Sequence, residues 1–86
     1  MMKVNIVSPE KTLYKGETDS VMLPGEMGRF EVLQNHAPII STLTAGEIVC
    51  RGSEDFRIEI KTGFVEVEHN VVSICVETAW NKKNGW

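Results

Sequence analysis

Apolar and polar residues alternate one for one along most of this chain. Val4 and Ile6 are interleaved with Lys3 and Asn5, and Val21 and Leu23 lie either side of Met22. Phe56, Ile58 and Ile60 alternate with Arg57, Glu59 and Lys61, the clearest run of all. Val72, Ile74 and Val76 point one way while Val71, Ser73 and Cys75 point the other. A side-chain period of two is that of a strand with one face buried. Apolar spacing of three and four never persists long enough to predict a helix. The pattern predicts strands at roughly residues 3–8, 12–15, 19–23, 29–33, 39–44, 47–51, 56–61, 64–68 and 71–76. Turn-forming residues separate them: Ser8-Pro9-Glu10, Gly16, Pro24-Gly25, Ala45-Gly46, Gly52-Ser53-Glu54 and His69-Asn70, with a bend at Thr62-Gly63. Closely spaced short strands of this kind predict an all-β domain, a flattened β-sandwich of about eight to ten strands.

One stretch organises the rest, from Gly25 to Ile40. Gly25 and Gly28 allow positive φ and a tight reversal around Glu26 and Met27. Phe30 and Val32 then alternate with Arg29 and Glu31 as a short strand. Gln34-Asn35 is a polar turn, in which Asn35 tolerates the left-handed conformation. His36-Ala37-Pro38 follows. Pro38 removes an amide donor and holds Ala37 extended. Ile39 and Ile40 are consecutive, so a strand sends them to opposite faces. One serves the core, and the other needs a second apolar partner. An apolar patch around residues 36–40 is therefore expected at the surface, the kind of patch that marks a protein contact. Loops fixed in shape on a rigid sheet are where binding is concentrated.

Composition narrows the function. At 86 residues the chain supports one domain. A net charge of −3 excludes a basic nucleic-acid groove. No apolar run approaches the ~18 residues of a membrane-spanning helix, so direct membrane insertion is not expected, and no signal-peptide pattern precedes Lys3. Cys50 and Cys75 lie far apart in apolar runs and read as reduced, buried small hydrophobes. Gly25-x-x-Gly28 lacks the Lys-Ser/Thr pair and the helix of a phosphate loop. His36 has no partner at metal-ligand spacing, which leaves it a structural or contact residue. The carboxylates are spread over polar strand faces. Neither a catalytic constellation nor a cofactor or metal site is expected. Residues 1–79 read as the β-domain, and residues 80–86, polar and basic, as a flexible tail.

The order of these features resembles the epsilon subunit family of F-type ATP synthases, called delta in mitochondria. The carriers are Val4-Asn5-Ile6-Val7-Ser8-Pro9-Glu10, Leu13-Tyr14-Lys15-Gly16-Glu17, the Gly25–Pro38 stretch, Leu43-Thr44-Ala45-Gly46, Thr62-Gly63-Phe64-Val65-Glu66-Val67 and Glu77-Thr78-Ala79. The resemblance implies a non-catalytic rotor subunit of the central stalk, of a proton- or sodium-driven complex. It would sit on the cytoplasmic face of a bacterial inner membrane. It implies that Glu26, Met27, Gly28 and Arg29 face the membrane-embedded c-ring. It implies that His36, Ala37, Pro38, Ile39 and Ile40 face the gamma subunit, and that Gly25, Asn35, Gly46 and Gly63 shape turns. Arg29 stands where many relatives carry an acidic residue, so here the ring loop is expected to supply the carboxylate. The sequence stops where the family usually adds a two-helix domain, so that domain's inhibition of ATP hydrolysis is expected to be absent. The competing expectation is a stand-alone β-sandwich scaffold or small-ligand-binding module.

Overall fold

The alternating runs become eight strands in the computed structural model, which describes residues 1–78. The tail expected at residues 80–86, with Ala79 before it, lies outside the described residues. The strands are β1 (Met2–Val7), β2 (Thr12–Thr18), β3 (Ser20–Gly25), β4 (Gly28–Leu33), β5 (Ile39–Leu43), β6 (Gly46–Arg51), β7 (Phe56–Glu68) and β8 (Val71–Thr78). The described residues contain no helix, and so none long and apolar enough to cross a membrane.

Hydrogen bonding runs β2-β1-β8-β7-β5-β3-β4, with β6 paired to both β3 and β7. This ladder folds over on itself into a sandwich. One layer is β2-β1-β8 with the second half of β7 and β5. The other is β4-β3-β6 with the first half of β7. The first and last strands, β1 and β8, pair in parallel, and every other pairing is antiparallel.

The long strand β7 makes this closure possible. It was expected as two strands bent at Thr62-Gly63, and it is one strand carrying a β-bulge between Ile60 and Thr62. Before the bulge the inward residues are Phe56, Ile58 and Ile60, and beyond it they are Val65 and Val67. The extra residue shifts the alternation by one, so each half presents its own apolar set to the interior. Gly63 sits where β7 crosses closest to β8. A Cβ there would run into the carbonyl oxygen of Cys75 and come within 3.0 Å of Val76 Cγ1. Glycine is required at this point for space. The domain that results is thin, 41 × 28 × 18 Å.

The core forms between the layers from Met2, Val4 and Ile6 of β1, Val21 and Leu23 of β3, and Val72, Ile74 and Val76 of β8, with the inward residues of β5, β6 and β7. Phe56 and Ile58 face the interior as expected, half-buried at the rim of that core. Phe56 stacks there on Tyr14 of β2, with ring centroids 4.4 Å apart. Gly16 was expected to end β2, yet the strand runs through it. The Tyr14 side chain lies across Gly16, its Oη 2.7 Å from where a Cβ would be, and Gly16 pairs with Val4. Cys50 is buried and free, and burial pushes its thiol pKa up to about 11. Cys75 is free but half-buried, on the outer face.

Ile60 is almost wholly enclosed, whereas Ile58 is half-buried. Ile60→Ala is expected to destabilise the fold by about 2–5 kcal/mol, and Ile58→Ala by clearly less. Urea unfolding with unchanged m-values checks the order. The reverse ranking would place the core elsewhere along β7.

Candidate functional site

The loop singled out between Gly25 and Arg29 is a two-residue hairpin turn. Gly25 pairs with Gly28 across it, and Glu26 and Met27 form the tip. Gly28 has φ +125°, in the region that favours glycine. Gly25 does not have the positive φ expected of it. It is buried, and a Cβ would lie 2.7 Å from the Phe30 ring and 2.8 Å from the Gly28 carbonyl oxygen. Close packing selects glycine there, where backbone handedness was expected to.

The tip is braced from behind by the β5–β6 turn. The Thr44 amide donates to the Pro24 carbonyl at 2.8 Å, and the Glu26 amide to the Thr42 carbonyl at 3.3 Å. The Thr42 hydroxyl donates to Glu26 Oε1 at 2.6 Å. Gly46, with φ +155°, turns the chain beneath, where a Cβ would lie 2.8 Å from Pro24 Cβ. Met27 is fully exposed at the apex of this braced turn. Arg29 donates to the Glu47 carbonyl at 2.9 Å, while the Glu47 carboxylate pairs with Arg57 at 3.2 Å. Among the described residues no carboxylate pairs with Arg29, whose charge is held in place by a backbone dipole.

The second singled-out segment lies at the far end of β4, about 20 Å away along a six-residue strand. Asn35 adopts φ +67°, as its residue type allows. The His36 amide donates to the Leu33 carbonyl at 3.1 Å and closes the turn. The β7–β8 turn comes alongside. Its two residues, His69 and Asn70, have φ of +52° and +62°, which fits the tight hairpin expected there. The Asn35 amide donates to Asn70 Oδ1 at 2.6 Å, and Asn70 Nδ2 donates to Asn35 Oδ1 at 3.1 Å. Two left-handed residues from turns 35 positions apart thus clasp each other. His36 is half-buried, and its Nδ1 donates to the Ala37 carbonyl at 2.7 Å. No three His, Cys, Asp or Glu side chains among the described residues converge to hold a metal.

Ile39 and Ile40 divide between the faces, as consecutive strand residues must. Ile39 packs against the core, and Ile40 is 78% exposed on the outer face of the β2-β1-β8-β7-β5 layer. Ala37 and Pro38 are exposed beside it. Ile40 is not alone on that face. Thr42, Phe64, Cys75 and Val7 pair in one row across β5, β7, β8 and β1, diagonal to Ile40. Phe64 is 52% exposed. Val7, Pro9, Gly63, Phe64, Cys75 and Val76 line a shallow groove of about 480 Å³. Sequence reasoning missed Phe64 as a surface residue, because an unbroken period from Ile60 carries it inward. The bulge turns it out. The signal was the Thr62-Gly63 pair, read only as a bend.

The hairpin tip, the clasped turns and the apolar outer face are the exposed features of this two-layer sheet. Against known families, the chain matches the ATP synthase delta/epsilon chain β-sandwich domain over residues 1–82. The chain belongs to that family. The ATP synthase epsilon chain of Leptospira borgpetersenii serovar Hardjo-bovis is 46% identical over 77 residues, covering 88% of this chain and 61% of that protein. The epsilon chain of Geobacter metallireducens is 37% identical over 79 residues, covering 91% of this chain and 57% of that one. The chain thus spans less than two thirds of the length of either relative. The fold recurs in the cryo-EM structure of the central stalk and c-ring of Tetrahymena thermophila mitochondrial ATP synthase. The TM-score there is 0.75 at 16% identity, over 88% of this chain and 63% of that one. It recurs also in the Euglena gracilis mitochondrial enzyme, with a TM-score of 0.81 at 19% identity, over 87% of this chain and 49% of that one.

The Asn35–Asn70 clasp is open to direct test. Asn70→Gly keeps the turn conformation and loses the side-chain bonds, at an expected cost of about 1 kcal/mol. Asn70→Ala adds the strain of a left-handed non-glycine residue and should cost about 1–2 kcal/mol more. Equal stabilities of both variants and the parent in thermal unfolding would show that the two turns hold separately.

Proposed function

We propose that this chain is the β-sandwich part of a central-stalk subunit in an F-type ATP synthase, coupling rotation of the c-ring to the gamma subunit and the catalytic head. It performs no chemistry of its own in this reading. Glu26, Met27, Gly28 and Arg29 meet the ring, with Met27 as apolar tip and Arg29 facing a carboxylate on the ring's polar loop. His36, Ala37, Pro38, Ile39 and Ile40 meet gamma. Ile40 is the anchor, and Phe64 and Val7 extend the contact across the outer face. The subunit would be peripheral, on the cytoplasmic face of a bacterial inner membrane, driven by a proton or sodium gradient. Support comes from family membership and from relatives named ATP synthase epsilon chains.

The observation that carries the reading is the outward Ile40, an exposed β-branched side chain on a rigid strand. It is flanked by Pro38, which fixes the approach and spares the ordering cost of binding. The mechanism is mechanical. A close-packed sandwich deforms little, so a load applied at the Met27 tip reaches the outer face with little loss.

Ile40→Asp is expected to leave the fold intact and weaken gamma binding by about 2 kcal/mol or more, the scale of a buried anchor. Isothermal titration of parent and variant against gamma decides it, and equal affinities with both proteins folded would move the interface off this face. For the ring contact, Arg29→Glu should lower retention of the subunit on c-ring preparations at low salt and leave gamma affinity unchanged.

A further inference from the structure

β4 stands at the end of the hydrogen-bonded ladder. It pairs with β3 on one side, and among the described residues no strand pairs with its other side. The side chains along this open edge follow a self-complementary order. Phe30 and Val32 turn inward, so Met27, Arg29, Glu31 and Leu33 succeed one another on the outer face. They read apolar, positive, negative, apolar. In an antiparallel pair of two copies with a two-fold axis at Phe30, position 29 lies opposite 31 and position 27 opposite 33. Arg29 of each copy then meets Glu31 of the other, and Met27 of each meets Leu33. Moving the register by two residues sets Arg29 against Arg29 or Glu31 against Glu31. A slip of one residue sets outer-face side chains against inner-face ones. Only one register satisfies both charge and pleat.

These residues have no other use within the chain. Met27 is 100% and Leu33 51% exposed. Arg29 and Glu31 are exposed, and neither forms an ion pair among the described residues. The bond from Arg29 to the Glu47 carbonyl takes one guanidinium donor and leaves the others free. Charges along a sheet edge keep unrelated strands away, and here their order admits the chain's own complement.

We propose that two copies of the free chain pair β4 to β4, antiparallel about a two-fold axis at Phe30, and so join their β4-β3-β6-β7 layers into one continuous sheet. The occupant of the open edge is a second copy of this chain. Pairing covers Met27 and Leu33 and gives each Arg29 a carboxylate. A six-residue strand makes a small interface, so the dimer is weak and dissociates on dilution. It also covers the turn from Glu26 to Arg29, and any other protein that uses that turn must first separate the copies. The inference needs only the edge and its residue order, and it stands apart from the reading of the ring contact.

Sedimentation velocity of the 86-residue protein at low salt, over a wide range of concentration, tests it. The parent is expected to approach the mass of two chains as concentration rises. Arg29→Glu and Glu31→Arg each set like charges opposite one another at both ends of the pair, and each should weaken the dimer about tenfold or more. The double variant Arg29→Glu/Glu31→Arg restores both attractions and should pair like the parent. An equimolar mixture of the two single variants should associate where neither does alone, because opposite charges then meet only between unlike chains. That mixture also shows that the single variants are folded. A parent that stays a single chain at every concentration would overturn the proposal. So would single variants that pair as tightly as the parent, a mixture that fails to associate, or growth beyond two copies, since a two-fold pair is closed.

Discussion

The close approach of Gly63 to the Cys75 carbonyl is the contact on which the sandwich depends. β7 must pair with β8 along its second half and with β6 along its first, and the two halves present opposite parities of side chain to the same interior. The bulge before Thr62 reconciles them, and it needs backbone against backbone at the crossing. Any side chain at position 63 pushes β8 outward just where Val76 completes the core. Because a slip of one residue turns every side chain over, an error here would expose Ile60 or bury Glu66. The outward Phe64 is a by-product of the same device. The geometry that closes the core thus also creates the apolar outer face.

The two ends of the domain are stiffened without large side chains. At one, Gly28 makes the turn, and the Thr44 amide and the Thr42 carbonyl of the β5–β6 connection brace it. At the other, Asn35, His69 and Asn70 adopt left-handed conformations, and Asn35 and Asn70 bond across two turns. Hydrogen bonds of this kind fix direction as well as distance, which makes the turns preorganised. A loop held by its own backbone can present a fully exposed methionine without disordering, and Met27 is such a case. The remaining charges, such as the Arg51–Asp55 and Arg57–Glu47 pairs, are half-exposed and add little to stability.

Much of the architecture was legible because strand patterning is local. The alternating runs became strands with the expected face inward, Val4 and Ile6, Val21 and Leu23, and Val72, Ile74 and Val76 among them. Asn35 and the His69-Asn70 turn were legible for the same reason, since backbone handedness is a property of residue type. Gly25 and Gly16 were misread because their requirement is spatial. Each makes room for a ring, Phe30 or Tyr14, and nothing along the sequence says where a ring will lie. The bulge was half legible. Thr62-Gly63 marks an irregularity, but whether it ends a strand or shifts its phase is decided by β8, fifteen residues away in the pairing of Thr62 with Glu77. Ile40 was found through the rule for consecutive strand residues, and Phe64 was lost through the phase shift. The partners of these surfaces are set by other molecules, so residue chemistry alone stopped at an interaction domain, and the ordered set of motifs carried the reading to a family.

The parallel pairing of β1 with β8 bears on how the chain is made. β8 is the last of the eight described strands to be synthesised, and it belongs in the interior of the sheet, between β1 and β7. Until it arrives, both of those strands present unpaired amide and carbonyl edges flanking a gap one strand wide. Local hairpins such as β1–β2 and β3–β4 can form during synthesis, but the layer that holds β1 and β2 cannot close. Pairing between the first and the last of the described strands also raises contact order, which slows folding. The nascent domain is therefore vulnerable for nearly its whole synthesis, both to aggregation and to capture by a foreign strand, and becomes safe in a single late step.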